Sequence, residues 1–176
     1  AALYALHATK GQPRSPANGG GDRMHGAYLG PAFAQSECEA ELRAAGARFR
    51  VLDDAAMIAA CAQDLADGRA IGWFQGRMEF GPRALGGRSI LGDARSPTMQ
   101  SILNLKVKYR ESFRPFAPSV LREHVADWFE LDCDSPYMLL VADVVESRRK
   151  PMTAEQQALF GIEKLNIPRS DIPAVT

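Results

Sequence analysis

The amino-acid sequence predicts one domain of the α/β (α+β) class, built around a mixed β-sheet flanked by helices. Two observations support this prediction. Hydrophobic residues make up 46% of the 176 positions, which is enough for one core in a chain too short for two comfortable domains. Segments with helical periodicity also mix with short apolar runs typical of strands, without strict alternation between the two.

The predicted helices are assigned from their caps and their periodicity. Ser36 and Glu39 form a capping box that opens one helix. Asp53 or Asp54 caps the next helix, and Pro97 stands at a favoured first position of another. The resulting helices cover residues 1–10, 36–45, 55–68, 96–108 and 122–130.

Three segments are predicted to be strands. Residues 48–53 alternate between polar and apolar side chains, residues 70–77 form a buried run, and residues 137–145 are strongly apolar. Residues 114–121 are expected to be extended, because prolines bias the residues before them away from the helical region. Residues 11–24, GQPRSPANGGGDRM, have the composition of a flexible linker.

Positive charge is concentrated in one stretch of a chain that has no net charge. Residues 76–95 read GRMEFGPRALGGRSILGDAR, and the longer window 76–114 carries a net charge of +5. Arginine pairs two-pronged with phosphate or carboxylate oxygens, and glycines let backbone N–H groups approach an anion. A strand that leads into such a loop and then into a helix predicts a phosphate cradle.

Three other interpretations stay open. The GxxxxGK[ST] and GxGxxG patterns are absent, so the loop could be a surface whose arginines pair with the acidic remainder of the chain. A nucleic-acid-binding module is the second alternative, but the neutral chain and the lack of interleaved aromatic residues argue against nucleic acid as a partner. The third is a scaffold that is inactive by itself.

A second basic segment follows the predicted helix 96–108. Glu111 could orient Arg110 or Arg114, and two prolines after Arg114 restrict the backbone there. We expect this segment to converge with the glycine-rich loop on phosphoryl groups. Glu79 could hold a metal ion or brace an arginine, and bracing is the favoured interpretation.

Two long strings that begin in the basic window resemble one family. GRMEFGPRALGGRSIL and LNLKVKYRESFRPFAPSVL are similar to the C-terminal region of the carbamoyltransferase family, which includes nodulation and antibiotic O-carbamoyltransferases. HGAYLGPAF resembles the segment that joins the two domains of that family, and AALYALHA resembles the last helix of its kinase-like (Kae1-like) domain. The resemblance implies the end of a truncated upstream domain (1–10), a linker (11–35) and a YrdC-like domain with a twisted mixed sheet, truncated at its C-terminus (36–176).

The resemblance also implies an activity. A YrdC-like domain of this family binds ATP with Mg²⁺ and carbamoyl phosphate and forms carbamoyl adenylate. The partner domain then moves the carbamoyl group onto a hydroxylated small-molecule acceptor, and any iron belongs to that partner domain. By this resemblance, the residues expected to carry the chemistry are Arg83, Lys108 and Arg114. Further substrate- and nucleotide-binding residues are Arg77, Glu79, Arg88, Ser89 and Arg110.

The string differs from the family pattern at two positions. Gly87 stands where Asn is common, and Ser112 stands where Pro is common. Neither difference removes a charged group, so both bear on the rigidity of the loop more than on its chemistry.

The remaining composition bears on cellular location. The three cysteines are an odd number and are dispersed, which predicts reduced thiols rather than a disulfide framework or a zinc site. No apolar run approaches the roughly 20 residues that span a bilayer. We therefore expect a cytoplasmic location with no membrane partner and no protein-bound metal site in this chain.

Overall fold

The computed structural model describes residues 1–14, 22 and 24–175. Helices and strands occur together in these ranges, which confirms the predicted fold class. The strands are Ile71–Phe74 (β1) and Arg88–Leu91 (β2). The helices are Ala2–Tyr4 (α1), Gln35–Ala44 (α2), Asp54–Ala66 (α3), Met99–Ile102 (α4), Val125–Trp128 (α5) and Ala154–Ala158 (α6). π-Helical turns extend α1 through Ala5–Thr9 and α4 through Leu103–Val107, and short 3-10 turns lie at His25–Ala27, Arg122–His124, Glu146–Arg148 and Gly161–Asn166.

The sheet is a single antiparallel hairpin. Phe74 at the end of β1 pairs with Arg88 at the start of β2, and the Gln75 N–H donates to the Gly87 carbonyl at 2.9 Å. β1 confirms the strand predicted within residues 70–77. The expected passage from the glycine-rich loop directly into a helix is wrong, because the loop returns as a second strand. In the described part of the chain, the loop therefore does not lead directly into a helix N-terminus that could bind an anion.

Two predicted strands are wrong. Residues 48–53 have no regular secondary structure and pair with no strand in the described ranges, and within 137–145 only Val144 forms an isolated bridge, to Phe129. An apolar segment becomes a strand only where a second backbone can satisfy its N–H and C=O groups. Val141 is instead 99% exposed. The sheet is thus a small antiparallel pair rather than a larger mixed one.

Side-chain caps set the starts of the helices. Asp53 caps α3, because its Oδ1 accepts a backbone N–H of the first turn at 2.8 Å. The predicted capping box at Ser36 is wrong: α2 begins one residue earlier, and Glu37 accepts the N–H of Ala34 at 2.7 Å. The helix expected from residue 96 begins later, at Met99.

A small core joins the hairpin to α4. Met99 and Leu103 are buried and pack with Ala174 and the partly buried Phe116. A Cβ atom on Gly92, directly after β2, would lie 2.8 Å from the Cγ and Sδ atoms of Met99. The end of the hairpin therefore touches α4, whose π-helical extension leads into the basic segment 108–114.

The N-terminal part is described only in pieces. The predicted helix 1–10 is confirmed by α1 and its π-helical extension. Within the predicted linker 11–35, residues 15–21 and 23 lie outside the described residues. The division of the chain into domains stays a prediction. None of the helices in the described ranges combines the length and the apolarity needed to cross a bilayer.

Candidate anion-binding site

The connection between β1 and β2, residues 75–87, folds around one buried carboxylate, and we call it the arginine turn. Glu79 is 5% exposed, and its Oε1 accepts the backbone N–H groups of Leu85, Gly87 and Arg88 at 2.7, 2.6 and 3.2 Å. These bonds satisfy N–H groups that the hairpin leaves unpaired. Glu79 thus braces the backbone of the turn, a role that neither sequence interpretation includes.

The protonation state of Glu79 follows from this environment. Burial raises the pKa of the Glu79 carboxyl, but the hydrogen bonds from its own N–H and from the N–H groups of Leu85, Gly87 and Arg88 outweigh burial and hold the pKa below its ordinary value. The fold therefore favours the ionised carboxylate. A buried negative charge at this position also offsets part of the positive charge that surrounds it.

This pKa predicts a pH dependence of stability. A carboxyl whose pKa is lowered by folding stabilises the protein above its unfolded pKa of about 4.3, and this contribution is lost as the pH falls through the folded value. We expect the difference in free energy of unfolding between the wild type and Glu79→Gln to be constant from pH 7 to 5.5 and to shrink below about pH 4.3. Denaturant titrations at each pH measure it, and a constant difference down to pH 3 would contradict the assignment.

Arg88 closes the two ends of the arginine turn. Its Nη1 donates to the carbonyls of Gln75 and Gly87 at 3.0 and 2.7 Å, and its Nη2 donates to the Gly76 carbonyl at 3.2 Å. The guanidinium also lies 3.4 Å from the centre of the Phe74 ring. These contacts fix the Arg88 guanidinium against the backbone of the arginine turn and the Phe74 ring.

The neighbouring residue adds a further internal bond to the turn. The Ser89 Oγ accepts the N–H of Gly86 at 3.1 Å. Arg88 and Ser89 are predicted from the sequence to bind substrate or nucleotide. Their side chains already form hydrogen bonds within the hairpin and the arginine turn.

Residues 27–31, which the sequence does not predict to be part of the site, run beside the arginine turn. The Gly30 N–H donates to the Met78 carbonyl at 2.9 Å, and the Phe80 N–H donates to the Ala27 carbonyl at 2.6 Å. The Tyr28 hydroxyl donates to the carbonyl of Leu85 on the far side of the turn. This segment belongs to the string HGAYLGPAF. The sequence singles out that string, but it does not reveal that the string contacts the arginine turn.

Arg77 faces an open hollow beside this segment. Its Nη1 donates to the Gly30 carbonyl at 2.7 Å, which fixes the guanidinium at the rim. The hollow has a volume of about 320 Å³ and is lined by Tyr28, Gln75, Gly76, Arg77, Gly86 and Gly87. A Cβ atom at Gly87 would lie 2.6 Å from the Arg77 carbonyl oxygen. The two backbone segments are therefore too close together at this position for any residue that has a side chain.

The second basic segment is organised by a residue that sequence reasoning missed. Asn104 is completely buried; its Oδ1 accepts the Nε–H of Arg110 at 2.6 Å, and its Nδ2 donates to the carbonyls of Ser112 and Arg114 at 3.1 and 2.9 Å. Arg114 in turn forms an ion pair with Glu111 at 2.9 Å. An asparagine inside an apolar helical pattern was the available signal, because a buried amide needs partners.

The two basic clusters are separate in their contacts. Across the described ranges, no hydrogen bond, ion pair or ring contact joins the arginine turn to residues 108–114, and no residue of that segment lines the hollow. Their convergence on one ligand stays a prediction. Among the described residues, no group of three or more His, Cys, Asp or Glu side chains could hold a metal ion.

The cations of the basic window fall into two sets. Five have partners: Arg77 on a carbonyl, Arg88 on three carbonyls, Arg95 on Asp93, Arg110 on Asn104 and Arg114 on Glu111. The side chains of Arg83, Lys106 and Lys108 form no hydrogen bond or ion pair within the described part of the chain, and all three are exposed. Two of these three, Arg83 and Lys108, are among the residues predicted to carry the chemistry.

Comparison with known families identifies the chain. Residues 62–176 match the family model described as the carbamoyltransferase C-terminus. This chain belongs to the carbamoyltransferase C-terminal family. The match includes both the arginine turn and the segment around Asn104, whereas residues 27–31 lie before it. The resemblance inferred from the two sequence strings is therefore confirmed.

Relatives support the same assignment for this carbamoyltransferase C-terminal region. It is 62% identical over 157 residues to the uncharacterized protein sll1178 of Synechocystis sp., covering 88% of this chain and 26% of that protein. It is 46% identical over 140 residues to nodulation protein NolNO of Sinorhizobium fredii, covering 76% and 20% of the two chains. It is 45% identical over 95 residues to 3'-hydroxymethylcephem-O-carbamoyltransferase of Streptomyces clavuligerus, covering 54% and 17%. The chain thus spans about a quarter or less of the length of these relatives.

Proposed function

We propose that this chain is the part of an O-carbamoyltransferase that binds Mg²⁺-ATP and carbamoyl phosphate and forms carbamoyl adenylate. A partner domain of the Kae1-like kind, joined to its N-terminal side, then transfers the carbamoyl group to the hydroxyl of a small molecule. We call the chain together with this domain the two-domain protein. Its proposed compartment is the cytoplasm, where ATP is abundant.

One observation carries the proposal. In the basic window, cationic side chains that form no hydrogen bond or ion pair in the described residues lie close in sequence to cationic side chains that are held by such bonds. Arg83 belongs to a turn whose backbone is braced by Glu79 and closed by Arg88. Lys108 follows the end of the α4 extension, two residues before the fixed Arg110. A binding site for phosphates needs rigid supports and free positive charge, and both clusters provide the two together.

The proposed reaction depends on stabilisation of negative charge by the protein more than on general acid–base catalysis. Water first attacks the phosphorus of carbamoyl phosphate, the bond from that phosphorus to the carbamate oxygen breaks, and inorganic phosphate and carbamate result, the carbamate keeping the electron pair. A carbamate oxygen then forms a bond to the α-phosphorus of ATP, the bond from that phosphorus to the bridging oxygen of pyrophosphate breaks, and pyrophosphate leaves with the electron pair. Cationic side chains stabilise the charge that accumulates on the phosphoryl oxygens. Mg²⁺ would be held by phosphate oxygens and water, because the described residues offer it no cluster of three ligands.

Arg83→Ala tests this function most directly. We expect the two-domain protein to lose carbamoyl-phosphate-dependent exchange of labelled pyrophosphate into ATP by roughly 20-fold, because one unpartnered phosphate-binding charge is removed. Arg95→Ala is the matched control, since it removes the same charge from the same window but from a guanidinium already bound by Asp93. Exchange should then remain within about twofold of the wild type.

Equal effects of the two substitutions, or unchanged exchange in Arg83→Ala, would overturn the proposal. RNA binding that weakens steeply with salt and ignores carbamoyl phosphate would instead support the nucleic-acid alternative. The 176-residue chain alone is expected to transfer no carbamoyl group, since the transfer step is assigned to the partner domain.

A further inference from the structure

We propose that Asn104 is a positioning residue of the phosphate-binding site, which sets the Arg110 guanidinium and the backbone of residues 112–114 as one unit. This inference deepens the proposed function and rests on it. Asn104 itself is fully buried and touches no ligand, so it acts through the residues that it holds.

Every polar group of the Asn104 side chain is used for this purpose. Its Oδ1 accepts the Nε–H of Arg110 at 2.6 Å, while its Nδ2 donates to the carbonyls of Ser112 and Arg114. The backbone carbonyl of Asn104 also accepts the N–H of Arg110 at 2.9 Å. Arg110 is thus attached to one residue through both its main chain and its side chain.

The backbone between these two residues is turned sharply to make this possible. Tyr109 has a φ of 48°, in the left-handed region that a tyrosine rarely adopts, and its side chain is 86% exposed. A conformation of this kind persists only where the surroundings enforce it. The two hydrogen bonds from Arg110 to Asn104 span Tyr109 and close the chain around it.

The consequence is a guanidinium with one fixed edge and one free edge. Nε is occupied by Asn104, and the group lies 5.0 Å from the centre of the Phe116 ring, so its plane is held. The two Nη groups have no hydrogen-bond acceptor among the described residues and remain available for phosphoryl oxygens. Because the arginine is already ordered, binding costs less side-chain entropy than it would for a mobile one.

A double-mutant cycle on ligand affinity tests the inference. We expect Asn104→Ala and Arg110→Ala each to raise the Kd of Mg²⁺-ATP for the two-domain protein about tenfold, measured by isothermal titration. If Asn104 acts through Arg110, the double variant should be no more than about threefold weaker than either single variant. Effects that multiply to about a hundredfold would overturn the inference.

Leu103→Ala is the control for a merely structural role. Leu103 is buried one position earlier in the same helical turn but contacts the core instead of the basic segment. This variant should lower the melting temperature at least as much as Asn104→Ala, yet leave the Kd within about twofold of the wild type. A loss of affinity in Leu103→Ala equal to that in Asn104→Ala would show that only helix stability matters.

A ligand-free measurement separates this inference from the proposed function. In ¹⁵N NMR spectra, the Arg110 Nε–H should exchange slowly with solvent in the wild type, where Asn104 Oδ1 accepts it, and fast in Asn104→Ala. Fast exchange in the wild type, or equally slow exchange in Asn104→Ala, would overturn the inference even if ATP binds. Slow exchange without any ATP binding would overturn the proposed function and the role in ligand binding, leaving the local geometry of Arg110 intact.

Discussion

Glu79→Ala is expected to lower the free energy of unfolding by roughly 4 kcal/mol, the largest effect predicted for this chain. The substitution removes the acceptor of three backbone N–H groups in the arginine turn, those of Leu85, Gly87 and Arg88. An unsatisfied buried donor costs about 1–3 kcal/mol, and water that enters the vacated space recovers part of that cost. Denaturant-induced unfolding followed by circular dichroism measures the change.

Glu37→Ala provides the matched control for this prediction. Glu37 also accepts a backbone N–H through its carboxylate, that of Ala34 at 2.7 Å, but it is exposed and serves a single donor. Its removal should therefore cost only about 1 kcal/mol. If Glu79→Ala costs no more than Glu37→Ala, the buried carboxylate does not organise the turn.

The sequence predicts the helices of this chain better than its strands, and the reason is physical. Asp53 caps α3 through a bond to a residue in the first turn, so the signal and its effect are close together along the chain. A strand depends instead on a partner that lies at an unknown distance in sequence. Residues 137–145 have the composition of a strand but form only the isolated bridge from Val144 to Phe129 in the described ranges. Arg88–Leu91 is not predicted to be a strand, yet it becomes β2 because β1 lies beside it.

The candidate site shows the same division. Charge counting alone locates the basic window, and the family resemblance selects Arg83, Lys108 and Arg114 within it. Of these, Arg114 is paired with Glu111. Neither approach reveals that Arg88 is bound to the carbonyls of its own turn or that Glu79 binds backbone N–H groups. Asn104 is missed because a single amide carries no net charge. Its importance depends on carbonyls eight and ten residues further along the chain, which only the folded backbone brings into reach.

Gly30→Ala is expected to lower the free energy of unfolding by roughly 2–3 kcal/mol and to detach residues 27–31 from the arginine turn. A Cβ atom on Gly30 would lie 2.8 Å from the carbonyl oxygen of Met78 and 3.0 Å from its Cβ. The carbonyl cannot rotate away without breaking the hydrogen bond that it accepts from the Gly30 N–H. The strain must therefore separate the two backbones.

Hydrogen exchange locates this effect, and Gly72→Ala controls for it. Gly72 lies in β1, where an added Cβ would meet no atom within 4 Å, so alanine there should change stability by less than about 0.5 kcal/mol. In Gly30→Ala, the amide of Phe80, which donates to the Ala27 carbonyl, should exchange much faster than in the wild type. Protection of that amide equal to the wild type would show that residues 27–31 do not support the turn. Faster exchange would show that residues 27–31 support the arginine turn from outside the matched family region.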